Sequence, residues 1–217
     1  MRDQAISMGG VTSLLVEKSY SLKPYYPVAE TSCTNYLSST RNYVLVSDIE
    51  DFDYKAKLEE CFDFASVFKL VKHAVRRYLG SGRAGLMLGL SDLPGYIGGY
   101  WVVGSNMIVI NRITLNKVMK EAGDRRLINA YVFDLLLHEY LHSLGHLQEQ
   151  ETRDLSFEIC RKALGGDHPA SVIASNGPMS VFPGLNIVLN IDPRQYTAPT
   201  DVEIIGDFDR ESTSYIS

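Results

Sequence analysis

Four residues within nine positions can do chemistry together: His138, Glu139, His142 and His146, in the stretch LLLHEYLHSLGHLQEQE (135–151). The chain has only five histidines, and three of them fall here. Buried imidazoles and a carboxylate are costly unless something pairs with them, and one metal ion satisfies them all. On a helix, residues i and i+4 stand on one face. His138 and His142 can therefore present two ring nitrogens to one ion, at about 2.0–2.1 Å for zinc. Glu139 falls on the adjoining face, beside the ion but not bound to it. There it can take a proton from a water that the ion activates. The competing account makes His138 and His142 core histidines bonded to carbonyls, with Glu139 merely polar. Composition alone would produce H-E-x-x-H in roughly one such chain in 150, which makes that account the weaker one.

The elements that must hold these residues are readable from periodicity. Asp124 predicts the N-cap of a helix over about 125–144, and Gly145 its C′ residue. Leu127, Ile128, Tyr131, Val132, Phe133 and Leu135–Leu137 make this helix apolar nearly all round, so it is central. Upstream, YKAKLEECFDFASVFKLVKHAVRRYL (54–79) predicts one long helix. Leu58, Cys61, Phe62, Ala65, Phe68 and Val71 form its buried stripe, Gly80 and Gly82 close it, and His73 lies in its polar later half. GLMLGL (85–90) reads as a strand. YWVV (100–103) and MIVI (107–110) read as a hairpin around Gly104-Ser105-Asn106. A second helix over about 150–164 ends at Gly165-Gly166. From 167 the chain reads as loop-rich, with one short strand in LNIVLNI. NYVLV (42–46) is a further candidate strand.

HEYLHSLG, with the MIVINR strand before it, resembles the zincin superfamily of metallopeptidases, and most closely its metzincin side, H-E-x-x-H-x-x-G-x-x-(H or D). His138, Glu139, His142 and Gly145 match in register over about eleven residues. The resemblance implies that Gly145 ends the active-site helix and turns the chain so that a third ligand returns to the metal. Its third-ligand position falls on Gln148, which is not an ordinary zinc ligand. Glu149, one residue on, is taken as the third ligand; its competing role is an i,i+4 ion pair with Arg153. His146, Glu151 and His168 stand as alternatives. The resemblance also suggests Met179, in SNGPMS, as a Met-turn beneath the metal, and Tyr196 as an oxyanion partner.

Composition bounds the rest. A net charge of −5, with no Lys/Arg run longer than two, argues against a nucleic-acid surface. No segment approaches the roughly 20 apolar residues that span a bilayer, and residues 11–16 are too short and polar for a secretory core. Three cysteines without a C-x-x-C pair (Cys33, Cys61, Cys160) suit free thiols in a reducing compartment, so the expected location is the cytoplasm.

The expectation is an α+β, zincin-like fold: a small mixed β-sheet packed on a backing helix and a buried active-site helix, with a loop-rich C-terminal part. Residues 1–41 form an N-terminal arm, 42–206 the domain and 207–217 a mobile polar tail. One Zn²⁺ per chain, held by His138, His142 and Glu149, with Glu139 as general base, would hydrolyse a peptide or protein substrate. The competing class is a catalytically lapsed or latent zincin-fold protein that binds metal or a partner. In a self-restrained variant the 1–41 arm covers the cleft, with Cys33 on the metal.

Overall fold

The stretch 54–79 carries one apolar stripe but two capping aspartates, and the chain uses both. In the computed structural model, which describes residues 52–95, 97–185 and 201–209, helix α1 (Tyr54–Glu59) starts at Asp53, whose carboxylate accepts from the Ala56 N–H. Helix α2 (Phe64–Leu79) starts at Asp63, which forms a capping box with Ser66. The single helix expected from the sequence is therefore broken over 60–63, because a second cap satisfies amides that a continuous helix would bond within itself. Phe62, assigned to the stripe, falls in the break and is 81% exposed. Leu58, Cys61, Phe68 and Val71 are buried as expected. His73 is satisfied within the fold: its Nδ1 lies 2.7 Å from the Tyr54 hydroxyl, and its ring stacks on Phe52.

Four short strands form one mixed sheet: β1 (Met87–Ser91), β2 (Gly99–Trp101), β3 (Met107–Asn111) and β4 (Glu203–Ile205), in the order β2-β3-β1-β4. β1 and β3 run parallel, while β2 and β4 pair antiparallel with β3 and β1. β2 is thus an edge strand among the described residues. Asn111 ends β3 and caps helix α3 (Arg112–Ala122) with its side-chain oxygen. The same side chain, fully buried, donates to the carbonyls of Leu93, Pro94 and Ile97, which fixes the loop entering β2.

Helix α4 (Arg125–Ser143) runs through the middle, capped by Asp124 as the sequence predicts. It packs against α1, α2, α3 and β2 on its various faces, and against α5 (Glu149–Leu164) and α6 (Pro169–Asn176). Phe133, Leu136, Leu137, Tyr140 and Leu141 are fully buried along it. The protein is α+β, with six helices and this small sheet among the described residues.

The region after 167 departs from the loop-rich expectation. His168 caps α6 and Pro169 occupies its first turn, a start signal that the turn-rich composition masked. A 3₁₀ turn, Pro178–Ser180, comes next. The candidate strand at 42–46, most of LNIVLNI and the 1–41 arm lie outside the described residues. Residues 207–209, assigned to the polar tail, are held in the fold, and the rest of that stretch lies outside the described residues. Phe208 is buried with its ring stacked on Phe68, and Asp209 pairs with the buried Lys72 while accepting from the Gly85 and Leu86 amides. Among the described residues, no helix is long and apolar enough to cross a membrane.

An ion pair as enclosed as Lys72–Asp209 is costly to break singly, because the remaining charge has no water to turn to. Asp209→Ala is expected to lower the unfolding free energy by about 3–5 kcal/mol, read from the midpoint of a urea melt at unchanged slope.

Candidate metal centre

His138 and His142 are successive turns of α4, half-buried, with ring centroids 4.7 Å apart. The turn that ends this helix determines the site. The Gly145 amide donates to the His142 carbonyl, and the His146 amide to that of Leu141. With Gly145 at φ +103, this is a Schellman ending, which reverses the chain within two residues. Glycine is needed there because a side chain is strained in that conformation. Three residues later Gln148 opens α5 as its N-cap, with its side chain exposed and making no capping bond. Glu149, the first residue of α5, then faces back toward α4.

The result is a triangle. His138 Nε2 lies 3.3 Å from Glu149 Oε2, His142 Nε2 lies 3.4 Å from the same oxygen, and the two ring nitrogens are 3.1 Å apart. Among the described residues this is the one group of three or more His, Cys, Asp or Glu residues whose ligand atoms could share an ion. Donors about 2.0–2.1 Å from a tetrahedral ion stand about 3.3–3.4 Å from one another, so the spacing fits a metal of zinc's size.

The surroundings orient the donors. His142 Nδ1 lies 2.7 Å from the His146 carbonyl oxygen, to which it donates. That bond leaves the lone pair of a neutral ring on Nε2, inside the triangle; a backbone carbonyl is a common outer partner for a ligating histidine. Thr152 Oγ1 donates to the same carbonyl. Glu149 divides its oxygens: Oε2 faces the histidines, and Oε1 accepts from Arg153 Nε at 2.8 Å. The ion pair weighed against a ligand role for Glu149 therefore coexists with one, on the other oxygen.

The remaining candidates are placed elsewhere. The His146 ring pairs with Glu151 at 2.9 Å, so this alternative contributes its carbonyl rather than its imidazole. His168 is buried as the cap of α6, its Nδ1 accepting from the Ala170 amide, and takes no part in the triangle. Met179 is half exposed on the 3₁₀ turn, so it does not form a floor beneath the histidines; Asn176, Gly177 and Pro178 line the cleft instead. Tyr196 and Cys33 lie outside the described residues.

Glu139 is 5% exposed. Burial pushes its pKa up, against the two histidines and the Trp101 backbone amide, which favour the charged form. Trp101 is held there by a second network. Arg83 donates from its guanidinium to the carbonyls of Ser143 and Ser105, and its plane approaches the Trp101 ring. The Tyr140 hydroxyl bonds both the amide and the carbonyl of Arg83. The hairpin is thereby tied to the end of α4. Sequence reasoning missed Arg83, because an arginine in a glycine-rich loop gives no local signal.

Burial also pushes Asp134 up, to about 7, against the opposing influence of His138 and Arg153. Asp134 stands one turn before His138, and D-x-x-x-H was a legible signal of a shared face. His138 is itself raised: burial pulls it down, but the Glu149 bond and the charges of Glu139, Glu149 and Asp134 outweigh that. Glu149 is held well below the carboxylate range, burial being overcome by both histidines and Arg153. His138, Glu139 and Glu149 open on a cleft of about 570 Å³ between β2, α4, α5 and the end of α6.

Comparison with family models, with characterised proteins and with solved structures returns no match to this chain.

The geometry sets two expectations. Metal analysis after zinc loading is expected to give one ion per chain, lost in His142→Ala and Glu149→Ala and kept in Glu139→Ala. The second concerns pH. His138, Asp134 and Glu139 all have raised pKa values, so between about pH 5 and 8 these groups hold more protons in the folded chain than in the unfolded one. Their contribution to stability is present at the acid end and is lost as pH rises through the folded values. His168, pushed down to about 4 by burial, acts in the opposite sense and offsets part of this at the acid end. The metal-free protein is therefore expected to melt at lower temperature at pH 8 than at pH 5.5. Zinc, which competes with protons for the same nitrogens, should reduce or reverse that slope in thermal melts.

Proposed function

We propose that this chain is a zinc-dependent peptidase of zincin type. The observation that carries the proposal is the pairing of an open three-donor set with a buried, unligated carboxylate. Structural zinc sites are closed by four protein ligands, and a Glu139 held beside three donors has no place in one. His138, His142 and Glu149 would hold the ion. When bound, zinc acidifies a water and polarises a carbonyl.

The protein's own groups supply the proton movements. Glu139 takes one proton from the attacking water as its oxygen bonds to the peptide carbon. As the C–N bond breaks, Glu139 gives that proton to the leaving nitrogen. A carboxylate whose proton affinity is raised by burial suits both halves of this exchange. Arg153 and the His146 carbonyl keep the ligand atoms aimed while charge is redistributed.

Substrate positioning falls to the sheet. β2 borders the cleft through Gly99, with Gly98 just before it, and its outer edge is unpaired among the described residues. An extended peptide can add there as a further strand, held by main-chain bonds. The chain is closely packed there: a Cβ on Gly98 would stand 3.3 Å from Leu135 Cδ1, and one on Gly99 2.8 Å from the Val109 carbonyl.

The test is hydrolysis of unfolded casein by the zinc-loaded chain. Glu139→Ala is expected to lower the rate by about 10²–10⁴ with zinc retained, and a chelator to abolish activity until zinc is restored. Stoichiometric zinc with no hydrolysis in any form would favour the lapsed or latent metal-binding protein instead.

A further inference from the structure

We infer that the inner wall of the cleft, formed by Asp134, Ser156 and Tyr131, is a subsite for a cationic group of the substrate. The inference rests on the peptidase reading and specifies its substrate. Its basis is a buried hydroxyl without a partner among the described residues, in a cleft that Asp134 and Tyr131 also line. Asp134 lies on the histidine face of α4, one turn from His138, half-buried and lining the cleft. It forms no hydrogen bond or ion pair with another described residue.

Opposite it on α5, Ser156 is almost wholly buried, lines the same cleft, and its Oγ has no hydrogen-bond partner among the described residues. Ser156 is two turns from Glu149 and therefore on the same face of α5 as that residue. The Tyr131 hydroxyl completes the wall behind the glycines: a Cβ on Gly98 would lie 3.5 Å from it. Enclosed polar groups ordinarily find partners, and the buried Ser156 Oγ, without one among the described residues in a cleft that Asp134 and Tyr131 also line, points to a partner that arrives from outside.

The charge of that partner follows from the lining. Asp134, Glu139, Glu149 and Asp154 contribute four carboxylates to the cleft, and Arg153 one guanidinium, already bonded to Glu149. A carboxylate and two hydroxyl oxygens can all accept, whereas an ammonium or guanidinium only donates. A cation arriving beside Asp134 favours its ionised form and so reinforces its own binding. Leu135, Phe157 and Ile173 line the approach, apolar surface along which the aliphatic stem of a lysine or arginine can lie. A free amino terminus carries the same charge without the stem.

Hydroxamates that ligate zinc through their own oxygens give a readout that needs no turnover. Titration calorimetry on the zinc-loaded full chain would compare acetyl-lysine hydroxamate, acetyl-norleucine hydroxamate and norleucine hydroxamate with a free α-ammonium. The expected result is that the lysyl probe binds about ten- to a hundredfold tighter than its acetyl-norleucyl counterpart. That gap should close in Asp134→Asn at unchanged zinc content and narrow in Ser156→Ala, which guards against a folding defect in the first variant. Tightest binding by the free-ammonium probe would support the cationic subsite and assign the amino terminus as its source. Equal, tight binding of all three would overturn the subsite while leaving the metal centre intact. A gap that survives in Asp134→Asn would overturn the assignment to this wall. Failure of every hydroxamate to bind the zinc-loaded chain would overturn both the subsite and the peptidase reading.

Discussion

Two imidazole nitrogens and a carboxylate oxygen, each 3.1–3.4 Å from the others, must be held together by the rest of the molecule. Their lone pairs converge, and without a cation or a shared proton between them they repel. The raised His138 and the depressed Glu149 follow from this closeness, each favouring the charged form of the other. A fold that keeps such a cluster needs rigid supports on every side. α4 supplies one, buried along its length, and α5 supplies another, entering at an angle fixed by the reversal at Gly145.

The two faces of α4 have separate duties. One carries Asp134, His138 and His142 toward the cleft. The other, through Tyr140, grips the Arg83 backbone, and Arg83 holds the hairpin turn and the end of the same helix. β2 and the His-His-Glu group are thus referred to one rigid body, which also fixes where Glu139 stands. Nothing in this arrangement depends on long-range charge. It depends on short hydrogen bonds to backbone carbonyls, which vary little in length.

Much of the centre was legible because helical periodicity is strict. H-E-x-x-H on an apolar segment capped by Asp124 required His138 and His142 to share a face and Glu139 to adjoin it. The third member was harder, since it depends on how the chain turns after Gly145. The family pattern pointed to Gln148, whereas α5 begins one residue later and makes Glu149 its first inward-facing side chain. The helix break at 60–63 and the start of α6 were missed for one reason: Asp63 and His168 act as caps, and capping is decided by a single side-chain bond that periodicity does not register. β4 was illegible because three residues, Glu203–Ile205, make too short a strand to show alternation; only pairing with β1 defines it.

That late pairing governs the order in which the molecule can be made. Ser91 bonds the Asp201 carbonyl across a separation of 110 positions, and the Lys72–Asp209 pair spans 137. At about 5–20 residues per second, a nascent chain therefore carries β1 for roughly 5–20 s before its outer neighbour leaves the ribosome. By the end of that interval α4, α5 and the parallel β1–β3 pair are complete in sequence, yet the margin of β1 that β4 covers is still bare. A bare margin is the surface on which chains pair with the wrong partner. The segment 201–209 closes that margin, and its buried charge pair with Lys72 can form only once synthesis has passed His138, His142 and Glu149.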